Sequence, residues 1–182
     1  MSTFPDNEPT ISSRPIYSGR IIDVRVDTVR LQNGRESTRE IVDHAPSICV
    51  VPVDAEGNVL MVRQYRKPVD QFLLEVPAGG IEAGETPEEA AQRELQEEIG
   101  HTTDNLLAMS AFWLAPGWCS EFMYSFLATD LKRAALDSDE DEFIEVVRVP
   151  LSGAMDVIAS GEVQDAKSVA SLLLALQTLG AD

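Results

Sequence analysis

The sequence is poor in cysteine and in positive charge, and each shortage narrows what the chain can be. Cys49 and Cys119 are its two cysteines, far apart and in no metal-ligand spacing. That excludes zinc held by cysteine and a disulfide framework, leaving two reduced thiols as the expectation. Fourteen Lys and Arg face 31 Asp and Glu, for a formal net charge of −17. Such a field repels a nucleic acid backbone and an anionic membrane surface alike, so neither is expected as a partner. No apolar run reaches the length of about 18 residues that would suggest a membrane span. The stretch from Met1 to Glu8 is polar and acidic, unlike a secretory leader, which leads to a cytoplasmic expectation. There is no internal repeat and no low-complexity tract.

What is present is a chain of 182 residues, 44% of them hydrophobic, enough for one main domain and a small appended subdomain. The charge excess sets a condition on function. A site for a phosphorylated substrate would have to reverse the sign of the surrounding field, and divalent cations are a direct means of doing so.

The residues up to Pro15 combine prolines with polar residues and read as a loose arm. From Ile22 to Leu31 the sequence alternates, with Ile22, Val24, Val26 and Thr28 on one side. Asn33-Gly34 then signals a turn before a second extended run, Thr38 to Asp43, predicting a β-hairpin. Three strands of one growing sheet are expected at Ile48 to Val53, Val59 to Tyr65 and Phe72 to Val76, with Glu56-Gly57-Asn58 turning between the first two. A glycine-rich loop, Ala78 to Glu85, precedes a helix over Pro87 to Ile99. Thr86 and Glu89 form a capping box there, Pro87 suits the first turn, and Gly100 suits the end. Further strands are expected at Met123 to Leu127 and Ile144 to Val149, and a short helix at Ser152 to Ala159. In a last helix, Val169, Leu172, Leu173, Leu176 and Leu179 read as the core face. The mixture predicts an α/β domain with helices packed on a sheet.

At about 100° per residue, Glu94, Glu97 and Glu98 fall within a little over a quarter turn of the helix, while Ala91, Leu95 and Ile99 form the adjoining apolar stripe. Like charges at this spacing destabilise a helix by about 0.2–0.5 kcal/mol per pair, and a bound cation reverses that sign. Carboxylate oxygens favour Mg²⁺ or Mn²⁺ over zinc. The plain alternative is a hydrated acidic face in which Arg93 pairs with Glu89 and Glu97. Against it stands the longer spacing: Gly79, five residues, Glu85, seven residues, then Arg93-Glu94-Leu95-Gln96-Glu97-Glu98-Ile99-Gly100.

This stretch, Gly79 to His101, resembles the signature of the Nudix hydrolases, which cleave nucleoside diphosphates linked to another moiety. Every fixed position is met. The departure is His101, where the family usually carries an aliphatic residue. The resemblance implies a Nudix α/β/α sandwich around a mixed sheet, with a small N-terminal antiparallel β-subdomain in residues 1–45 and the hydrolase domain in 46–182. It implies Glu94, Glu97 and Glu98 as ligands of Mg²⁺, with Mn²⁺ as the substitute, and the Ala78 carbonyl as a further ligand. Glu85 and Arg93 would form a structural ion pair.

Outside the signature the chain is most similar to the ADP-ribose pyrophosphatase group, in Val62-Arg63-Gln64-Tyr65-Arg66, Glu75-Val76-Pro77-Ala78-Gly79, Pro116-Gly117 with Glu121, Arg39 to His44, and Glu162 to Leu174. Arg63 and Arg66 point to opposite faces of a strand, and Arg66 is taken as the one that meets substrate, since a guanidinium offers paired donors to phosphate. Arg39, Pro116 and Gly117 join it as substrate-binding candidates, with Tyr17 as the residue to stack adenine. Trp118 is expected to be a partly buried anchor. Acidic loops are usually just hydrated. In Asp137 to Glu142, however, Glu142 matches the family's general base, with Glu140 in reserve, and Glu98 acts with them in catalysis. The implied reaction is hydrolysis of ADP-ribose to AMP and ribose 5-phosphate by a homodimer that shares its N-terminal strands. GDP-mannose or a nucleoside triphosphate remains open as substrate, and so does a non-catalytic nucleotide sensor. A Ca²⁺-binding acidic domain lacks its D-x-D-x-D-G loop.

Overall fold

A computed structural model describes residues 7–136 and 143–180. Chain packing divides into two units, Met1–Ala45 with Trp113–Phe122, and Pro46–Phe112 with Met123–Asp182.

The first unit is an antiparallel sheet of β1 (Thr10–Ser18), β2 (Ile22–Arg30) and β3 (Glu36–His44), in that order. The hairpin forms where the Asn33-Gly34 turn predicts it. Gly34 has φ +79 and donates its N–H to Leu31 at 2.9 Å, while the Asn33 side chain accepts from the Arg35 amide. β1 corrects the loose arm expected to Pro15. It pairs with β2 from Thr10↔Val29 to Ser18↔Asp23, with register irregularities at Thr10/Ser12 and Pro15/Tyr17. All nine of its residues are exposed, so no buried face imposes an alternating pattern for the sequence to show. As an edge strand with a shifted register it also tolerates Pro15. Trp113–Phe122 packs with this unit because its backbone is tied to β3. The Val42 amide donates to Trp118 O at 2.8 Å, the Ser120 amide to Val42 O at 2.9 Å, and the His44 amide to Ser120 Oγ at 3.0 Å.

In the second unit come β4 (Ser47–Pro52), β5 (Asn58–Arg66), β6 (Gln71–Glu75), β7 (Ala78–Gly80), α1 (Pro87–Ile99), β8 (His101–Thr102) and β9 (Asn105–Trp113). They are followed by β10 (Phe122–Thr129), β11 (Lys132–Arg133), β12 (Ile144–Pro150), a 3-10 turn at Leu151–Gly153, α2 (Ala154–Ala159) and α3 (Ala166–Leu179). One sheet runs β7-β4-β10-β9, with β4 parallel to β10 and antiparallel to β7, and a second runs β12-β5-β6. β8 pairs with β11. The single growing sheet expected from β4 to β6 is therefore two sheets, bridged at Val53↔Val59. β4 is apolar from Ile48 to Pro52, and all six of its residues, Ser47 included, are buried, as a central strand covered on both faces requires.

Alternation along β4 makes the sandwich. Ile48 and Val50 join Ala90, Ala91, Leu95 and Ile99 of α1 in the core, while Cys49, on the opposite face, meets Ser171 of α3 at 3.1 Å. The helix-on-mixed-sheet architecture expected from sequence is thus what the chain forms. Of the face expected for α3, Leu172 is fully buried and Val169 and Leu176 partly, but the buried face also takes in small residues that the leucine pattern did not mark. Ser168, Ser171, Leu172 and Ala175 are buried, whereas Leu173 and Leu179 are each 43% exposed. Small residues let the helix lie close to the strands, and their hydroxyls are satisfied there. Ser168 Oγ accepts the Val76 amide at 2.9 Å, and Ser125 donates to Ser171 Oγ at 2.8 Å.

Candidate active site

α1 is held at both ends. Thr86 is extended and accepts the Glu89 amide, Glu89 Oε2 accepts the Thr86 amide at 2.8 Å, and Gly100 closes the helix in the left-handed conformation at φ 68. Ala90, Ala91 and Leu95 are fully buried, which fixes the helix's rotation and so the direction of its acidic face.

Arg93 organises that face. Its Nε and Nη2 fork onto Glu85 at 2.8 and 3.1 Å, Nη1 donates to Glu94 at 2.6 Å and to Glu97 at 2.9 Å, and Nη2 reaches the Gly80 carbonyl at 2.9 Å. The hydrogen bonds from Arg93 hold Glu85 below the usual carboxylate range, and Glu85 first, then Glu94 and Glu97, raise the guanidinium far above its own. The pair is therefore charged at any physiological pH. Glu94 and Glu98 are buried. Glu98 Oε2 accepts the Ala78 amide at 3.1 Å, and a Cβ on Gly79 would overlap the Glu94 carboxylate. The glycine turn and the helix face thus interlock.

Among the described residues no three His, Cys, Asp or Glu side chains converge into a ready cation cage. Glu94 and Glu97 are turned to Arg93, and Glu98 to the Ala78 amide. The donor set nevertheless fits a hard divalent cation. It is all oxygen, it lies on one helix face against a turn kept free of side-chain bulk, and it contains no thiol or imidazole to favour a softer metal.

Behind the turn lies a second charged network. Arg66 forks onto Glu75 at 2.9 and 2.8 Å, and Lys167 contacts both Glu75 and Asp165. Glu75 is 1% exposed. Burial alone would push its carboxyl up, but Arg66 and Lys167 prevail and hold it below the usual range. Burial likewise works against the Lys167 charge, and Asp165 and Glu75 overcome it and raise the ammonium above its ordinary value.

In the first unit, Arg39, Trp113, Pro116, Gly117 and Trp118 line a hollow of about 450 Å³. Pro116-Gly117 is a turn, with the Trp118 and Cys119 amides donating to Ala115 O.

A family model described as the NUDIX domain matches residues 43–172, and one described as the nucleoside diphosphate sugar hydrolase N-terminal domain matches residues 8–42. The chain belongs to the Nudix hydrolases. It is 44% identical over 163 residues to an ADP-ribose pyrophosphatase of Bacillus subtilis, covering 88% of each chain. It is 38% identical to a methanol dehydrogenase activator of Bacillus methanolicus, covering 89% of each. A crystal structure of an ADP compounds hydrolase superposes on it with a TM-score of 0.89 at 26% identity, each chain covered in full. The family works with divalent metal ions.

Of the residues expected in this Nudix site, Glu94 and Glu97 are bound by Arg93, and Glu98 holds the Ala78 amide. Arg39, Pro116 and Gly117 share the hollow of the first unit, where the Arg39 guanidinium forks onto Glu8 at 2.9 and 2.6 Å. Arg66 is half-exposed and committed to Glu75, while Arg63, on the other face of β5, pairs with Glu162 at 3.2 Å. Tyr17 is 57% exposed and lines a separate hollow with Gly19, Arg20, Ile21 and Ile22. Trp118 is 59% exposed, not the partly buried anchor expected, because it rides on a surface turn. Glu140 and Glu142 lie outside the described residues. The Asp165–Lys167–Glu75 network was missed. Its signal was charged and hydroxyl residues opening an otherwise apolar helix, which periodicity counts as a cap and nothing more.

Proposed function

We propose that this Nudix hydrolase cleaves the pyrophosphate bridge of ADP-ribose, or of a closely related nucleoside diphosphate sugar, to AMP and ribose 5-phosphate with Mg²⁺, for which Mn²⁺ can substitute. The observation that carries this reading is the interlock of Glu94 and Glu98 with the Ala78-Gly79 turn, beside Glu97 on the same helix face. Ala78, through its carbonyl, and Glu94, Glu97 and Glu98 would hold the metal. Bound there, it supplies the positive charge that a diphosphate needs against a chain of net charge −17 and draws electron density from phosphorus.

The chain's own residues do the rest. Glu142, with Glu140 in reserve, takes the proton of the attacking water as general base. The water oxygen attacks one phosphorus in line, the bridging P–O bond breaks, and the two phosphates separate. Arg66, half-exposed beside Glu75, is the arginine taken to meet the diphosphate, with Arg39 as a further substrate contact, the Pro116-Gly117 turn at the terminal ribose and Tyr17 stacking the adenine. The active form is a homodimer joined through the N-terminal strands and works in the cytoplasm, without nucleic acid or membrane. Among the described residues no helix is long and apolar enough to cross a bilayer.

Incubation with ADP-ribose, GDP-mannose and nucleoside triphosphates, with product analysis, tests the substrate. The expected result is AMP and ribose 5-phosphate from ADP-ribose at the highest kcat/KM, and preference for GDP-mannose would replace it. Glu98→Gln should lower turnover by about a hundredfold or more, beyond what loss of a residue merely supporting a metal ligand costs, with KM little changed. Near-normal turnover of that variant at saturating Mg²⁺ would remove the assignment, and the same assay on Glu142→Gln and Glu140→Gln decides the base.

A further inference from the structure

The short segment Glu75–Ala78 is fastened at every residue. Glu75 is held by Arg66 and by Lys167 of α3, and the Val76 amide donates to Ser168 Oγ at 2.9 Å. Pro77, which has no amide to give, accepts the Val50 amide at 2.9 Å, and the Ala78 amide donates to Glu98 Oε2 at 3.1 Å. Four consecutive residues therefore connect the opening turn of α3 to a carboxylate on α1. The turn itself is fixed, since Asp165 caps α3 by accepting the Ser168 amide at 3.0 Å and also binds Lys167 at 2.9 Å. Ser168 is fully buried, so without its hydroxyl the Val76 amide would have to find another acceptor where water does not reach.

A hydrophobic contact would have fixed α3 to the sheet at lower cost in desolvation, because burying Glu75 and Lys167 together is expensive unless the geometry is specified. What the polar arrangement adds is direction. Two hydrogen-bonding anchors, three residues upstream of Ala78 and two, determine where the Ala78 peptide stands against Glu98. We propose that Lys167 and Ser168 are positioning residues: through Glu75 and Val76 they hold the Ala78 turn at the distance from Glu98 that cation binding requires. This deepens the reading of the α1 face as a metal site and rests on it.

The test is Mn²⁺ binding without substrate, followed by the electron paramagnetic resonance of the free ion, in the full-length chain and in Ser168→Ala, Lys167→Met and Lys167→Arg. Ser125→Ala serves as control, since Ser125 is equally buried and hydrogen-bonds to α3 through Ser171 but, among the described residues, has no hydrogen bond to Glu75–Ala78. Ser168→Ala should weaken Mn²⁺ binding about tenfold and speed amide exchange at Ala78. Its turnover should recover when Mn²⁺ is raised to saturation. Lys167→Met should act in the same direction, with Lys167→Arg retaining more of the affinity. Ser125→Ala should lower Tm while keeping both affinity and Ala78 protection. Unchanged Mn²⁺ affinity in Ser168→Ala, or equal losses in Ser168→Ala and Ser125→Ala, overturns the positioning role and leaves the metal site standing. Failure of the unmodified chain to bind Mn²⁺ overturns both.

Discussion

Gly79 has no side chain because the Glu94 carboxylate stands where its Cβ would be. Ala in its place must push Glu94 off its rotamer or lift the turn from α1. Gly79→Ala should therefore cost about 1–3 kcal/mol, as overpacking does, and lower metal-dependent turnover by more than that stability loss explains, measured by denaturation and by titration of rate against Mg²⁺. Glu75 and Lys167 make a pH prediction of opposite ends. The folded pKa of Glu75 lies below its unfolded value, so its stabilisation is complete above the ordinary carboxylate range and is lost as pH falls through it. That of Lys167 lies above, so its contribution holds at neutral pH and is lost only as pH rises past the lysine range. In Glu75→Gln, unfolding free energy should fall by about 3–5 kcal/mol at neutral pH, and its decline as pH falls below about 5 and through the depressed pKa of Glu75 should be shallower than in the unmodified chain. An unaltered acid slope in denaturant titrations would mean that Glu75 does not couple to folding. The residues of α1 were legible in the sequence because their spacing is local. The tie of Glu75 to α3 was not, since Glu75 reaches Lys167 across 92 positions of sequence and no period connects them.

Elements were readable in proportion to how much of their stabilisation is encoded nearby. α1 has the bounds that its capping box and terminal glycine predict, because those signals lie within one turn of each end. The β2–β3 hairpin follows from Asn33-Gly34 in the same way. β1 and β9 gave no usable pattern, being largely exposed along their length, and part of the buried face of α3 was hidden because serine and alanine mark close approach rather than hydrophobicity. The capping box can be isolated from the chemistry, since Thr86 stands two turns before Glu94. Thr86→Ala should cost about 1 kcal/mol of stability in chemical denaturation and leave turnover at saturating Mg²⁺ close to that of the unmodified chain. A loss of turnover as large as that of Gly79→Ala would show that the helix start sets the carboxylates as well.

At the scale of the whole molecule, charge is unevenly distributed. Six of the 14 basic residues and seven of the 31 acidic ones fall in residues 1–45, so that segment is nearly neutral while the remainder carries almost all of the −17. Two copies would repel through the acidic remainder but not through the N-terminal sheet. That sheet also carries open apolar surface. Ile16 is 49% exposed, and with Val24, Val26, Ile41 and Trp118 it lines a hollow of about 490 Å³. Contiguous apolar surface of this kind marks an interaction face, and a second copy of the same sheet provides cover with little electrostatic cost. Sedimentation at micromolar concentration should therefore give a dimer, with association stronger at physiological salt than at low salt as the acidic remainders are screened. Ile16→Asp should shift it to monomer with its circular dichroism retained. A monomer in the unmodified chain under both conditions, or an undisturbed dimer in Ile16→Asp, would place the self-association elsewhere or remove it.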